Sequence, residues 1–170
     1  APNKRVDHVV RALTLLREQG CEAELTIIGW GQDQWRLEAQ VNELGLSGAV
    51  TFAGRLDDAE KNIELQKAHL LLHTSMREGW GLNVIEANAM GTPAVVYPVG
   101  GLVDSTVHGQ TGLVSEAETP ESLAGTLISL ANDPARYDPM RSAAWERSFE
   151  FRWERVLQPT CDWLENMARE

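Results

Sequence analysis

Cysteine is scarce in this chain. There are two in 170 residues, Cys21 and Cys161, far apart and in no CxxC spacing. That excludes a disulfide-stapled scaffold and a thiolate zinc site, and two buried thiols in a reducing, cytoplasmic compartment are expected. Positive charge is also short: 15 Lys and Arg against 25 Asp and Glu give a net charge of −10 and a pI of about 4.9. Nucleic acid and anionic membrane call for a basic face, so neither is expected as a direct partner. An anionic ligand would have to be held by local donors, because the overall field repels it. No apolar run approaches the ~18 residues of a transmembrane helix. The four histidines, His8, His69, His73 and His108, show no chelating pattern. His69 and His73 share the strand-like run AHLLLHTS, but four residues of strand span about 13 Å, too far for one ion. No metal is expected. The start, APNKRVDHVV, has neither an initiator Met nor the apolar stretch of a signal peptide, and reads as the interior of a longer chain.

What remains is ordinary for a globular protein. Hydrophobic content is 43% and charged content 24%. The length suits one domain with a core of its own.

Along the chain, strand-like and helix-like runs alternate. RVDHVVRALTLLREQ (5–19) has helical apolar spacing and stops at Gly20. ELTIIGWG reads as a strand entering a turn. Residues 33–44 read as a helix with Asp33 as a possible cap and Gly45 behind it. GAVTFAG, LLLH and PAVVYP read as strands, and TGLVSE as a weak fifth. DDAEKNIELQKA is a short helix opened by Asp57 or Asp58, and LNVIEANAM a helix ended by Gly91. Residues 120–131, 134–148 and 150–168 read as helices, the last kinked or broken at Pro159. Short continuous apolar strands between helices predict an α/β domain: a Rossmann-like, doubly wound parallel sheet covered on both faces. On such sheets, ligands sit at the carboxyl ends of strands, against helix N-termini. Gly-Trp-Gly occurs twice, at 29–31 and 79–81. Both fit one geometry, a tight strand-to-helix turn.

The run REGWGLNVIEANAMGTP, residues 77–93, carries the chemistry. Gly79 and Gly81 let backbone approach a ligand. The helix beginning near Leu82 offers free N–H groups to an anion such as a phosphate. Glu86 lies one turn in and leans back toward the mouth where Glu78 sits. A carboxylate accepts two hydrogen bonds, which suits the vicinal diol of a ribose or a sugar. The bland alternative is a solvated loop acid and a helix acid beside a dipole, and spacing alone leaves both open. Arg77 is a surface residue or a phosphate helper, and Trp80 sits in the turn, placed to close over a ligand.

The same run, extended through AVVYPVGGLVDSTVHGQTGLV, resembles the donor-binding signature of the group 1 (family 4) glycosyltransferases, retaining enzymes of the GT-B fold. The matching residues are Glu78, Gly79, Trp80, Gly81, Leu82, Glu86, Ala87, Ala89, Gly91, Pro93, Gly100, Gly101, Asp104, Gly109 and Gly112. NKRVDHVVRAL, ELTIIGWGQ, VTFAGRLDDAEK and FRWERV follow in the family's order, so the likeness covers nearly the whole chain. His69 and Thr74 depart from the pattern, which usually has Asp and Pro there. Both read as tolerated variation away from the donor contacts.

The resemblance implies that residues 1–170 are the C-terminal, nucleotide-sugar-binding half of a GT-B enzyme, cut at its N-terminal edge. The segment 150–170 would return toward the N-terminal domain. Glu78, the candidate catalytic residue, would contact hydroxyls of the donor sugar, and Glu86 would hold the ribose. Lys4 and the amides of Gly79, Trp80, Gly81 and Leu82 would meet sugar and diphosphate. An Arg that the family also uses would lie upstream of Ala1. Leu56, Asp58 and Lys61 would flank the base. The donor would be a nucleotide-diphosphate sugar, with no cofactor and no metal required. The other GT-B domain would bring the acceptor site and any peripheral membrane contact. The chain alone would bind nucleotide weakly and not catalyse. Rival readings are a nucleotide-sugar epimerase of the same fold and a non-catalytic nucleotide-binding or scaffold domain. A dinucleotide oxidoreductase needs GxGxxG after the first strand, and GWGQDQ lacks the third Gly.

Overall fold

The computed structural model describes residues 2–169; Ala1 and Glu170, the ends of the expected domain, lie outside the described residues. The first helix, α1 (Val6–Glu18), buries Val9, Val10, Ala12, Leu13 and Leu16. It is followed by β1 (Leu25–Ile28), α2 (Gln34–Glu43), β2 (Val50–Gly54), α3 (Asp58–Lys67), β3 (Leu71–His73), α4 (Leu82–Ala89) and β4 (Ala94–Val96). Then come α5 (Gly100–Ser105), β5 (Gly112–Val114), α6 (Pro120–Ala131), α7 (Tyr137–Ser148) and α8 (Trp153–Met167). The βα alternation is as expected. Helix α5 was not foreseen: its sequence, GGLVDS, opens with two glycines, and its burial against α4 stabilises it instead of propensity.

All strand pairs are parallel, but the sheet is in two pieces: β1 pairs with β2, and the order β3-β4-β5 forms a separate three-stranded sheet. The larger piece is covered on both faces. Val95 packs with Val9, Ala12 and Leu16 of α1 and with Leu123, Ala124 and Leu127 of α6. Its neighbours Ala94 and Val96 pack with Val84 of α4 and Leu102 of α5. Three consecutive apolar residues therefore serve two cores, because successive side chains of a strand point to opposite faces.

The smaller piece departs from the expectation of two covered faces. Leu25 and Ile27 of β1 pack toward Val10, Leu13 and Val41, while Thr26 and Ile28 are exposed. Helix α1 joins the two pieces. Its Val9, Ala12 and Leu16 enter one cluster, and its Val10 and Leu13 enter the other.

Other expectations are corrected as well. Both cysteines are free but only partly buried. Pro159 lies inside α8, which continues past it. Proline removes one N–H, but the partner it would have had, the Arg155 carbonyl, belongs to a residue exposed to solvent. The 134–148 helix opens with a 3-10 turn over Pro134–Arg136. The two Gly-Trp-Gly turns differ: positive φ falls on the first glycine of one (Gly29, 113°) and the last of the other (Gly81, 71°). Among the described residues, no helix is long and apolar enough to cross a membrane.

Candidate functional site

The site forms on the loop between β3 and α4 and along the first turn of α4. Gly81 is the residue before that helix, at φ 71° and ψ 52°. A Cβ there would meet Ser105 Oγ at 2.8 Å, so both the conformation and the space call for glycine. Leu82 then begins α4, as expected, and is exposed. Gly101, in α5, is the second point of close approach. Its amide donates to the Glu78 carbonyl at 3.2 Å. Trp80 is packed edge-on against Phe151, with ring centroids 5.6 Å apart. Phe151 lies beneath the Arg147 guanidinium, which also donates to the carbonyls of Ser105 and Asp104 at the end of α5. Segment 147–151 thus braces the glycine turn, a contact the sequence did not announce.

Lys4 comes from a 3-10 turn over Pro2–Lys4. Its ammonium donates to Glu78 Oε2 at 2.9 Å. The segment is pinned beside the loop. Met76 N–H donates to the Asn3 carbonyl at 2.8 Å, and the Thr74 hydroxyl lies 2.8 Å from the Lys4 carbonyl and 3.1 Å from that of Arg5. Thr74 therefore holds the backbone that carries a proposed donor contact, and its reading as tolerated variation is corrected. The hydrogen bond from Lys4 holds the Glu78 carboxyl below the usual carboxylate range, against the opposing effect of burial.

Behind Glu78 lies His73, the last residue of β3, 4% exposed. Its Nε2 is 2.8 Å from Ser75 Oγ and 3.3 Å from Glu78 Oε2. Burial lowers its pKa below the ordinary histidine value, and Lys4 adds to this; Glu78 and Asn83 pull the other way.

Glu86 lies one turn into α4 and is half-exposed. Lys61 of α3 approaches its Oε2 at 3.2 Å and Asp58 Oδ1 at 3.1 Å. Asp58 and then Glu86 raise the Lys61 pKa, against its desolvation. The N-terminus of α3 is fixed by a capping box in which Asp57 accepts from the Glu60 amide and Glu60 accepts from the Asp57 amide. Leu56 and Asp58 line a shallow open hollow with Arg55, Asp57 and Glu60. The residues expected to contact the donor therefore fall in two groups joined by α4. One contains Lys4, Glu78 and the glycine turn, and the other Glu86, Lys61, Asp58 and Leu56. His73, Thr74 and Phe151 were missed. The available signal was the polar triplet His-Thr-Ser at the carboxyl end of an apolar strand, where ligands gather on such sheets.

The domain is a parallel α/β fold with a glycine turn before one helix and two lysine-paired glutamates, one on that turn's loop and one in the helix. The model of the group 1 glycosyl transferases matches residues 1–147 of this chain, and the chain belongs to that family. It is 34% identical over 159 residues to glycogen synthase of Mycobacterium tuberculosis, a match spanning 93% of this chain and 38% of that protein. Among solved structures, sucrose-phosphate synthase from Thermosynechococcus elongatus superposes with a TM-score of 0.87 at 26% identity, covering all of this chain and 44% of that one. The Anabaena protein HepE, solved in complex with UDP, shares the fold with a TM-score of 0.87 at 23% identity, over 98% of this chain and 46% of that one. The chain thus spans less than half the length of each.

Proposed function

We propose that this chain is the donor-binding half of a retaining glycosyltransferase, one that takes a sugar from a nucleotide-diphosphate sugar. The observation that carries the reading is the double pairing at α4: Glu78 with Lys4, and Glu86 with Lys61. Lys4 and the amides at the start of α4 suit a diphosphate, while the two carboxylates suit hydroxyls on either side of it. Membership of the family, and a fold neighbour solved with UDP, support the same ligand class.

In this scheme the bond from the anomeric carbon to the β-phosphate oxygen breaks, a bond to an acceptor hydroxyl oxygen forms on the same face, and the hydroxyl's proton passes to the departing diphosphate. Negative charge grows on the leaving diphosphate. Lys4 and the α4 amides stabilise it by fixed, preorganised electrostatics. Glu78 orients the sugar and Glu86 the ribose, with Leu56, Asp58 and Lys61 toward the base. The scheme requires no metal. The acceptor site belongs to the other domain of a longer chain, whose closure over this one completes the machinery. Residues 1–170 alone then bind nucleotide weakly and do not catalyse.

The test is a calorimetric or NMR titration with UDP, GDP and ADP, repeated with Glu86→Ala. Saturable binding of one nucleotide at about 0.1–1 mM, lost in the variant, supports the reading and names the base. Equal binding by the variant would refute the ribose role of Glu86.

A further inference from the structure

The polar triplet at the end of β3 has no place in the scheme above, yet it is more deeply buried than any charged side chain that scheme uses. His73, Thr74 and Ser75 are 4%, 2% and 0% exposed. A parallel strand at this position is otherwise apolar, as Leu71 and Leu72 show. Burying polar side chains there is unfavourable unless each is hydrogen-bonded. His73 is only half satisfied: its Nδ1 is buried with no partner. A leucine would leave no polar atom orphaned at that point. The fold therefore does not favour histidine there, and the compensating contacts at Nε2 are with Ser75 Oγ and Glu78 Oε2, with the Asn83 side chain a further hydrogen-bonding neighbour of the ring.

The two contacts make different demands on the ring. Ser75 Oγ, at 2.8 Å, can donate or accept, whereas an ionised carboxylate only accepts, so attraction between the neutral ring and Glu78 requires the hydrogen on Nε2. Glu78 Oε2 is then approached from one side by the Lys4 ammonium and from the other by the buried imidazole. A loop carboxylate, free to rotate in isolation, has its geometry set by a strand end. Thr74 acts in the same direction on the other partner, by holding the Lys4 and Arg5 carbonyls.

We propose that His73 is a positioning residue of the donor site: its neutral imidazole fixes the Glu78 carboxylate for the sugar hydroxyls, while Thr74 fixes the backbone of Lys4. This rests on the donor reading, since it takes Glu78 as the sugar contact. It makes the buried triplet a determinant of sugar binding rather than of nucleotide binding.

The experiment compares the affinity of the chain for a nucleotide-diphosphate sugar with its affinity for the nucleoside diphosphate alone. The probes are UDP-glucose with UDP, GDP-mannose with GDP, and ADP-glucose with ADP. The variants are His73→Leu, His73→Gln and His73→Asn. A Gln amide nitrogen reaches the Nε2 position, whereas an Asn amide reaches only that of Nδ1. The expected result is about a tenfold loss of sugar-nucleotide affinity in His73→Leu and His73→Asn, little change for the nucleoside diphosphate, and recovery in His73→Gln. An unchanged ratio in all three, with the wild type binding both ligands, would overturn the positioning role alone. No binding of any probe by the wild type would overturn the donor reading and this role with it. Imidazole NMR of the wild type supplies a readout that does not depend on a variant's folding. An Nε2–H tautomer supports the proposal, and an Nδ1–H tautomer overturns it.

Discussion

The amide of Gly101 donates to the carbonyl of Glu78 at 3.2 Å, and a Cβ on Gly101 would stand 2.4 Å from that same oxygen. Helix α5 thus lies directly against the backbone of the loop that carries the candidate sugar contact. The obstacle is main chain on both sides, so a side chain cannot rotate to relieve it. Gly101→Ala is expected to destabilise the chain by about 2–4 kcal/mol and to displace the 78–81 turn. Gly100→Ala is the control: a Cβ there meets nothing within 4 Å, and the change should stay within about 0.5 kcal/mol of wild type. Urea melts of the two variants check this, and equal midpoints would refute the tight contact.

Lys4 and Glu78 neutralise each other in the structure, so a diphosphate must draw Lys4 from its carboxylate partner. Glu78→Gln removes that competitor and a nearby negative charge. It is expected to tighten binding of a nucleoside diphosphate while weakening the sugar nucleotide, and Lys4→Ala to weaken both by about tenfold. The pair itself is partly exposed and contributes at most about 1 kcal/mol to folding, so neither variant should unfold the chain. Titrations at low and raised salt check the charge dependence, which screening should reduce.

Acid should loosen the site in two stages. The pKa of His73 is depressed by burial, so its contribution is complete above the unfolded value of 6.5 and is lost as pH falls through the lower folded value. The Glu78 pKa is depressed by Lys4, so its contribution is complete above 4.5 and is lost as pH falls further. Stability should therefore rise with pH across both ranges. His73→Leu should flatten the upper stage and leave the lower one. Thermal melts from pH 3 to 8 decide this, and an unaltered upper stage in the variant would count against the buried neutral imidazole.

Asp57 and Glu60 cap α3 reciprocally, which places Asp58 and Lys61 beside Glu86. Asp57→Ala should cost about 1 kcal/mol. It should also weaken nucleotide binding without touching the nucleotide, because the Lys61 side chain loses its fixed starting point. Chemical denaturation and a nucleotide titration of the same variant give the two readings. A loss of stability with unchanged affinity would separate the cap from the site.

Much of this molecule was legible one-dimensionally. The ranges of α4 and β4 follow from LNVIEANAM ending at Gly91 and from the apolar run PAVVYP; α4 ends one residue earlier than read, and β4 starts one residue later and ends two earlier. Capping by Asp57 and the helix start at Leu82 are local effects of a few residues, so local sequence reports them. Helix α5 escaped because its glycines argue against a helix locally, while its burial against Val84 and Val96 argues for one at a distance. Of the kink or break expected at Pro159, the break does not occur: α8 runs on through the proline, which lies on an exposed face.

By itself, the sequence determined the α/β class, the glycine turn before α4, and the two glutamates eight residues apart, because each depends on period, cap or conformational freedom within a short span. Only the tertiary structure decided which partners meet those groups. Lys4 reaches Glu78 across 74 residues, His73 approaches it from inside, and Phe151 backs Trp80. It also decided that β1–β2 and β3–β5 lie as two sheets joined by α1. Such contacts join segments far apart in the chain, and their geometry is set by packing, which no local pattern encodes.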